Sequence, residues 1–297
     1  MIMKRLCLLV LLFVVSSCAM NKLFLNPHLL DISSKRKFYS PEFNDTLTLT
    51  FKDINSPVIK TSNGDLAKFS YEIESVNFQS SRERTVNAWL VKPRNYNGTT
   101  IYFLHGNSGN VAYNFPLAEP FVKKGYQVFI IDYSGFGFSE GKAKRKDVLK
   151  DANEGLEYLI NRKDIKYNKL LIYGQSLGGH LSAVVATQNQ DKIDGLVIEG
   201  AFSSHKDIAA DQVPVLARIF VREIYSAEKN LPKFHKPVMI IHSTEDARIP
   251  FKHGERLFEV ANEPKKFYQI EKQHVRGPLF YIDSITFKID EILNIAK

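Results

Sequence analysis

From Phe69 onward the chain switches between two apolar patterns. Phe69–Phe78 carries Tyr71, Ile73, Val76 and Phe78 in near alternation, and Thr85–Val91 repeats the pattern, which predicts a leading antiparallel pair of strands. Short unbroken apolar runs follow at Thr100–Leu104, Gln127–Ile131, Lys169–Tyr173, Gly195–Ile198, Val238–Ile241 and Lys266–Ile270. Between them lie helical spacings: Val111–Lys124, stopped by Gly125; Arg145–Asn161, with Val148, Ala152, Leu156, Leu159 and Ile160 on one side; Leu177–Gln188; Lys252–Val260; and Ser284–Ile295. Strands apolar on both faces, alternating with helices, predict an α/β domain whose mostly parallel sheet is covered on both sides. Chemistry in such sheets gathers beyond the carboxyl ends of the strands.

The amino-terminal part reads differently. Lys4 and Arg5 precede an unbroken apolar run, Leu6–Val15, closed by Ser16-Ser17-Cys18. These are the three regions of a signal peptide, and the run is too short to span a bilayer. The ending Val15-Ser16-Ser17-Cys18 resembles the bacterial lipoprotein box, which implies lipidation at Cys18 and export to the bacterial cell envelope on a lipid anchor; simple secretory cleavage or an uncleaved amino-terminal anchor are the alternatives. Cys7, the other cysteine, lies in the leader, so the expected mature chain has no disulfide and rests on its core. Asn21–Tyr39 is mixed, and Asn44–Lys60 alternates weakly through Leu47, Leu49 and Phe51. The expected organisation is a leader over 1–17, a tether and extension over 18–67, and one catalytic domain over 68–297.

The charge of +8 falls to +6 once the leader takes away Lys4 and Arg5 and no acid. The basic clusters Lys35-Arg36-Lys37 and Lys142, Lys144, Arg145, Lys146 lack aromatic interleaving, so nucleic acid is not an expected partner. They read as solvated faces, with some gain possible beside an anionic membrane surface.

Gly174-Gln175-Ser176-Leu177-Gly178-Gly179 follows the strand at Lys169–Tyr173 and opens a predicted helix. Gly-x-Ser-x-Gly at a strand-to-helix junction is the geometry of a nucleophile elbow: the serine sits at a strained turn, and the glycines leave room for strand and helix to approach. Ser176 is the candidate nucleophile. The glycine-rich His105-Gly106-Asn107-Ser108-Gly109-Asn110 follows an earlier strand and can offer a main-chain amide to a developing oxyanion. Asn107 is the choice there, with Ser108 left open, and the amide of Leu177 is the second donor. Asp246 follows the strand Val238–Ile241 and is the candidate acid, with Glu245 and Glu199 as rivals. His274 follows the last strand and is the candidate base. The chain order Ser176, Asp246, His274 is that of α/β-hydrolases. His105, His180, His242 and His253 read as structural.

Four segments together resemble the small α/β-hydrolases of the abhydrolase-domain family: His105–Asn110 (His-Gly-Asn-x-Gly-Asn), Asp132–Gly141, Gly174–Gly179 (Gly-x-Ser-x-Gly-Gly) and His242–Pro250. They span about residues 85–280. That group includes palmitoyl-protein thioesterases, with serine aminopeptidase-like and monoacylglycerol lipase-like hydrolases more distant. Ser243 and Ile249 replace the family's usual glycine and valine, and Lys272-Gln273-His274-Val275 replaces its usual Gly-x-His-Asn. The resemblance implies a serine hydrolase acting on a carboxylic ester or thioester, small or acylated. A peptidase of the same fold and a non-catalytic envelope lipoprotein are the alternatives. Asp132–Gly141 does not keep dinucleotide or P-loop spacing, and metal-ligand spacings are lacking, so no cofactor and no metal are expected. Residues 202–236 stand where a cap belongs, and their apolar stretch Val213–Val221 is expected to roof the pocket or to pack on the core.

Overall fold

The computed structural model describes residues 24–40, 42–212 and 221–294. The leader and Cys18 lie outside them, as does the stretch Val213–Val221 apart from its last residue.

In chain order the elements are β1 (Asn26–Pro27), β2 (Arg36–Ser40), β3 (Asp45–Phe51), β4 (Pro57–Lys60), β5 (Tyr71–Gln79), β6 (Thr85–Pro93), β7 (Thr99–Leu104), β8 (Ser108–Gly109), α1 (Val111–Lys123), β9 (Gln127–Ile131), α2 (Arg145–Asn161), β10 (Lys169–Gln175), α3 (Leu177–Gln188), β11 (Gly195–Glu199), α4 (His205–Gln212), α5 (Ala227–Asn230), β12 (Val238–Ser243), α6 (Lys252–Val260), β13 (Lys265–Ile270) and α7 (Gly277–Ile292). An eight-stranded sheet runs in the order β13-β12-β11-β10-β7-β9-β6-β5. The pairings from β13 through to β9 are parallel, and β6 and β5 join antiparallel.

Every residue of β7, β9, β11 and β12 is buried, which is why these strands read as unbroken apolar runs. The sheet separates two cores. One packs β-sheet side chains such as Tyr102, Phe129 and Ile198 against Val148, Ala152 and Leu156 of α2 and Leu181 and Val185 of α3. The helix α2 comes in closely at Gly155, where a Cβ would lie 2.6 Å from Tyr102 Oη. The other core packs Phe103, Ile130 and Met239 against Phe115 and Phe121 of α1 and Ile285 and Ile289 of α7.

The extension before residue 68 adds to this second core. Strands β2, β3 and β4 form an antiparallel sheet. Leu47, Leu49 and Phe51 point inward from β3, with threonines between them. The weak alternation at Asn44–Lys60 is therefore a small sheet layered beside Trp89 and Phe115.

The last helix departs from expectation. A short helical stretch opens at Gly277, and a kink at Tyr281 (φ −129°) separates it from the longer helix, which ends at Ile292 rather than Ile295. Pro278 needs no N–H partner in a first turn and so opens the helix instead of barring it.

Candidate active site

The turn between β10 and α3 holds Ser176 at φ +55° and ψ −118°, a region costly for any residue with a Cβ. Its neighbours explain how the chain tolerates it. A Cβ on Gly174 would lie 2.3 Å from the Gly178 carbonyl oxygen, and one on Gly178 would lie 2.0 Å from that of Leu104. The turn is pinned by Ser176 N–H donating to Glu199 O at 2.9 Å and by His180 N–H donating to Ser176 O at 3.0 Å. Ser176 is buried, at the amino end of α3, where helix amides favour negative charge.

Three distant residues meet here. His274 Nε2 lies 2.9 Å from Ser176 Oγ, and His274 Nδ1 lies 2.6 Å from Asp246 Oδ2. The other Asp246 oxygen accepts from the main-chain N–H groups of Arg248 and Ile249, each at 2.9 Å. Burial pushes the Asp246 carboxyl up. The His274 hydrogen bond and charge and these two N–H groups outweigh that, leaving it below the usual carboxylate range.

Of the rival acids, Glu245 is exposed. Glu199 is fully buried and bonded elsewhere: it accepts from Tyr173 Oη, Gln175 Nε2 and the Gly277 N–H, all at 2.7 Å. Burial raises its pKa. Gln175 also reaches the Val275 carbonyl at 3.3 Å, and Val275 itself has φ +50°. Glu199 thus braces the loop that carries His274 without a hydrogen bond to the ring. Sequence reasoning did not find this bracing role, because its contacts link three separated segments.

The other histidines are bonded away from Ser176. His105 is completely buried, with Nδ1 at 2.8 Å from Gly106 O, and burial pushes it down to about 4. His242 Nε2 meets Ile249 O, and His253 meets Ser203 and Asp211. His180, His205 and Glu223 form one group of donors within 4.8 Å that could hold a metal ion. They already bond each other and the main chain: His180 to the carbonyls of Phe202 and Tyr225, His205 to Glu223.

The loop Asp132–Gly141 is a turn beside the site. Asp132 Oδ1 accepts from the Val111 N–H at 2.7 Å, and Tyr133 Oη donates to His105 O at 3.0 Å. Gly137 (φ +51°) sits where a Cβ would overlap Asp132.

Asn107 and Leu177 stand beside Ser176 on the wall of a cavity of about 530 Å³. Neither main-chain N–H is taken by an acceptor among the described residues. Phe24, Phe202, Ile208 and Ile249 give this lobe an apolar wall, and Asp211 and Arg248 line it as well. A second hollow of about 640 Å³ opens on the other side of Ser176 and His274, and it includes Ser108, Arg36, Asn114 and Arg276. Phe24 was not anticipated as a lining residue; only its apolar character in a mixed stretch hinted at burial.

Residues 99–230 match the family model for the alpha/beta hydrolase fold. The YfhR protein of Salmonella typhi, itself uncharacterized, is 32% identical over 211 residues, 66% of this chain and 72% of that one. Protein bem46 of Schizosaccharomyces pombe is 29% identical over 207 residues, 67% of this chain and 69% of its own. Among solved structures, the Pyrococcus furiosus esterase Pf2001 superposes with a TM-score of 0.62 at 18% identity, covering 76% of this chain and 93% of its own. Est1E of Butyrivibrio proteoclasticus, solved with ferulic acid, gives 0.62 at 17%, covering 74% and 99%.

Proposed function

We propose that this chain, a member of the α/β-hydrolase fold family, is a serine hydrolase cleaving a carboxylic ester or thioester through Ser176, His274 and Asp246. The observation that carries the reading is the unbroken relay from Ser176 Oγ to Nε2 and from Nδ1 to the carboxylate, at 2.9 and 2.6 Å, on a strained turn. One of the fold neighbours, Pf2001, is an esterase by name, in line with this chemistry.

With its proton on Nδ1, held there by Asp246, the His274 ring presents a free Nε2 to the serine hydroxyl. It takes that proton as Oγ attacks the acyl carbon. The amides of Asn107 and Leu177 receive the oxyanion, a donor of this kind contributing about 3 kcal/mol. His274 then protonates the leaving alcohol or thiol, and an acyl-Ser176 remains. Water, giving its proton to the same Nε2, releases the acid and restores the serine. The apolar wall of Phe24, Phe202, Ile208 and Ile249 suits the hydrocarbon part of the acyl group.

Lipidation at Cys18 is part of the same proposal. Phe24 lies six positions after Cys18, at most about 22 Å of extended chain, so an anchored protein works on acyl substrates close to the bilayer. Labelling with a fluorophosphonate tests the reading. The wild type should be labelled and Ser176→Ala should not; a labelled Ser176→Ala, or an unlabelled wild type, rejects it. Aminoacyl-p-nitroanilides cleaved faster than p-nitrophenyl esters would point to a peptidase instead.

A further inference from the structure

We propose that the strap Phe24–Leu30 is a working part of this site: its Asn26 amide positions the Asn107 peptide, and its Phe24 ring sets which acyl group fits. The proposal rests on the serine-hydrolase reading and adds a specificity element that lies outside the catalytic motifs.

The strap crosses the glycine-rich turn as a short parallel strand, with β1 beside β8. Asn26 N–H donates to Asn107 O at 2.8 Å, and His28 N–H donates to Gly109 O at 3.2 Å. Asn110 Nδ2 returns a bond to His28 O at 3.0 Å. Farther along, Leu30 N–H donates to Gly137 O at 2.9 Å, and Gly137 N–H donates to His28 O at 3.0 Å. The turns at 105–110 and 132–141 are thereby stitched to one segment. Asn107 is held on its carboxyl side by the strap, and on its amino side by the end of β7. Gly106 packs on the serine itself, its Cβ position 3.4 Å from Ser176 Cβ. An oxyanion donor must be placed before the charge develops, and a shift of about 1 Å in a catalytic group can cost about 10²-fold in rate.

Phe24 does a second job. It is 5% exposed and lines the cavity of about 530 Å³ together with Leu177, Phe202 and Ile208. Its ring is fixed edge-on to His205, centroids 4.8 Å apart, with the Arg145 guanidinium 5.0 Å above it. A ring held from two sides is a wall, and its volume is lost to the acyl chain.

The test uses the full chain with p-nitrophenyl esters from acetate to decanoate. Asn26→Pro removes the N–H, whereas Asn26→Ala keeps it. Asn26→Pro should lower kcat by about tenfold or more with KM within about threefold, and Asn26→Ala should stay within about threefold of wild type in both. Phe24→Ala should move the preferred ester to a longer chain, and the milder Phe24→Leu should move it the same way if the alanine variant does not fold. Hydrogen exchange in peptides covering residues 105–110 reads the strap without turnover and should be faster in Asn26→Pro only. Exchange unchanged by proline overturns the positioning role, and an unchanged chain-length profile overturns the wall. Faster exchange in a protein that no fluorophosphonate labels leaves the strap standing and rejects the serine-hydrolase reading instead.

Discussion

Replacing Asp246 by asparagine exchanges one carboxylate oxygen for an NH2 group and should nearly abolish turnover. The reason lies in the surroundings of the carboxylate. One oxygen accepts from the N–H groups of Arg248 and Ile249, and the other faces His274 Nδ1. An asparagine here has two orientations. With its oxygen toward the two main-chain donors, its NH2 points at Nδ1. The reverse sets an NH2 against two buried N–H groups, and each unsatisfied donor costs about 1–3 kcal/mol. The first orientation wins by about 2–6 kcal/mol, because the contact with Nδ1 is made either way. The ring must then accept at Nδ1 and carry its proton on Nε2, so the nitrogen 2.9 Å from Ser176 Oγ can no longer take the serine proton. A tautomer trap of this kind lowers kcat by about 10⁴-fold, or ~5 kcal/mol of barrier. The protein should stay folded, since all three hydrogen bonds to the side chain are kept and only lose their charge assistance, at about 1–3 kcal/mol in all. Saturating hydrolysis of p-nitrophenyl butyrate, with a melting curve beside it, is the assay. A loss of less than about tenfold refutes the reasoning. It would mean that the imidazole is oriented by something else, with Glu199 the nearest buried carboxylate behind the loop.

Gly178→Ala should destabilise the protein by about 3 kcal/mol or more, because its Cβ would meet main-chain oxygens of Leu104 and His105 at 2.0 and 2.6 Å. Gly106→Ala, whose Cβ meets Ser176 Cβ at 3.4 Å, should cost no more than about 1 kcal/mol; urea midpoints that rank the two the other way contradict the packing account. Asp132 is pushed up to about 7 by burial, so its folded pKa lies above its unfolded value. Its stabilising contribution is complete below the unfolded pKa and is lost as pH rises through about 7. Asp132→Asn cannot ionise and should gain on the wild type by about 2–3 kcal/mol between about pH 5 and about pH 8; a stability difference flat with pH would show that Asp132 does not titrate there.

The sheet was legible because burial on both faces leaves no choice of residue: β7, β9, β11 and β12 had to be apolar at nearly every position. Leu47, Leu49 and Phe51 carried their period of two only weakly. What was hidden was the partner they pair with, since β2 and β4 are short and half-exposed. The start of α7 was masked for a different reason. Leu279 and Phe280 are exposed apolar residues, so the run Pro278–Ile282 shows no stripe that separates a buried face from a wet one.

The same contrast runs through the site. The turn at Ser176 could be read from sequence because strain and close approach leave only glycine at 174 and 178, and because an imidazole or a carboxylate has no substitute. The strap offers no such mark. What Asn26, His28 and Leu30 give to the turns at 107–109 and 137 is mainly a main-chain N–H, and every residue except proline has one. Selection on such a contact acts on backbone conformation, so side chains there can vary while the bond persists. It follows that the strap should tolerate most substitutions at 26, 28 and 30 and reject proline at each. Phe24 should be constrained by volume alone. A scan of the segment that found side-chain identity decisive at 26, 28 or 30, and proline harmless, would contradict a strap that acts through its main chain.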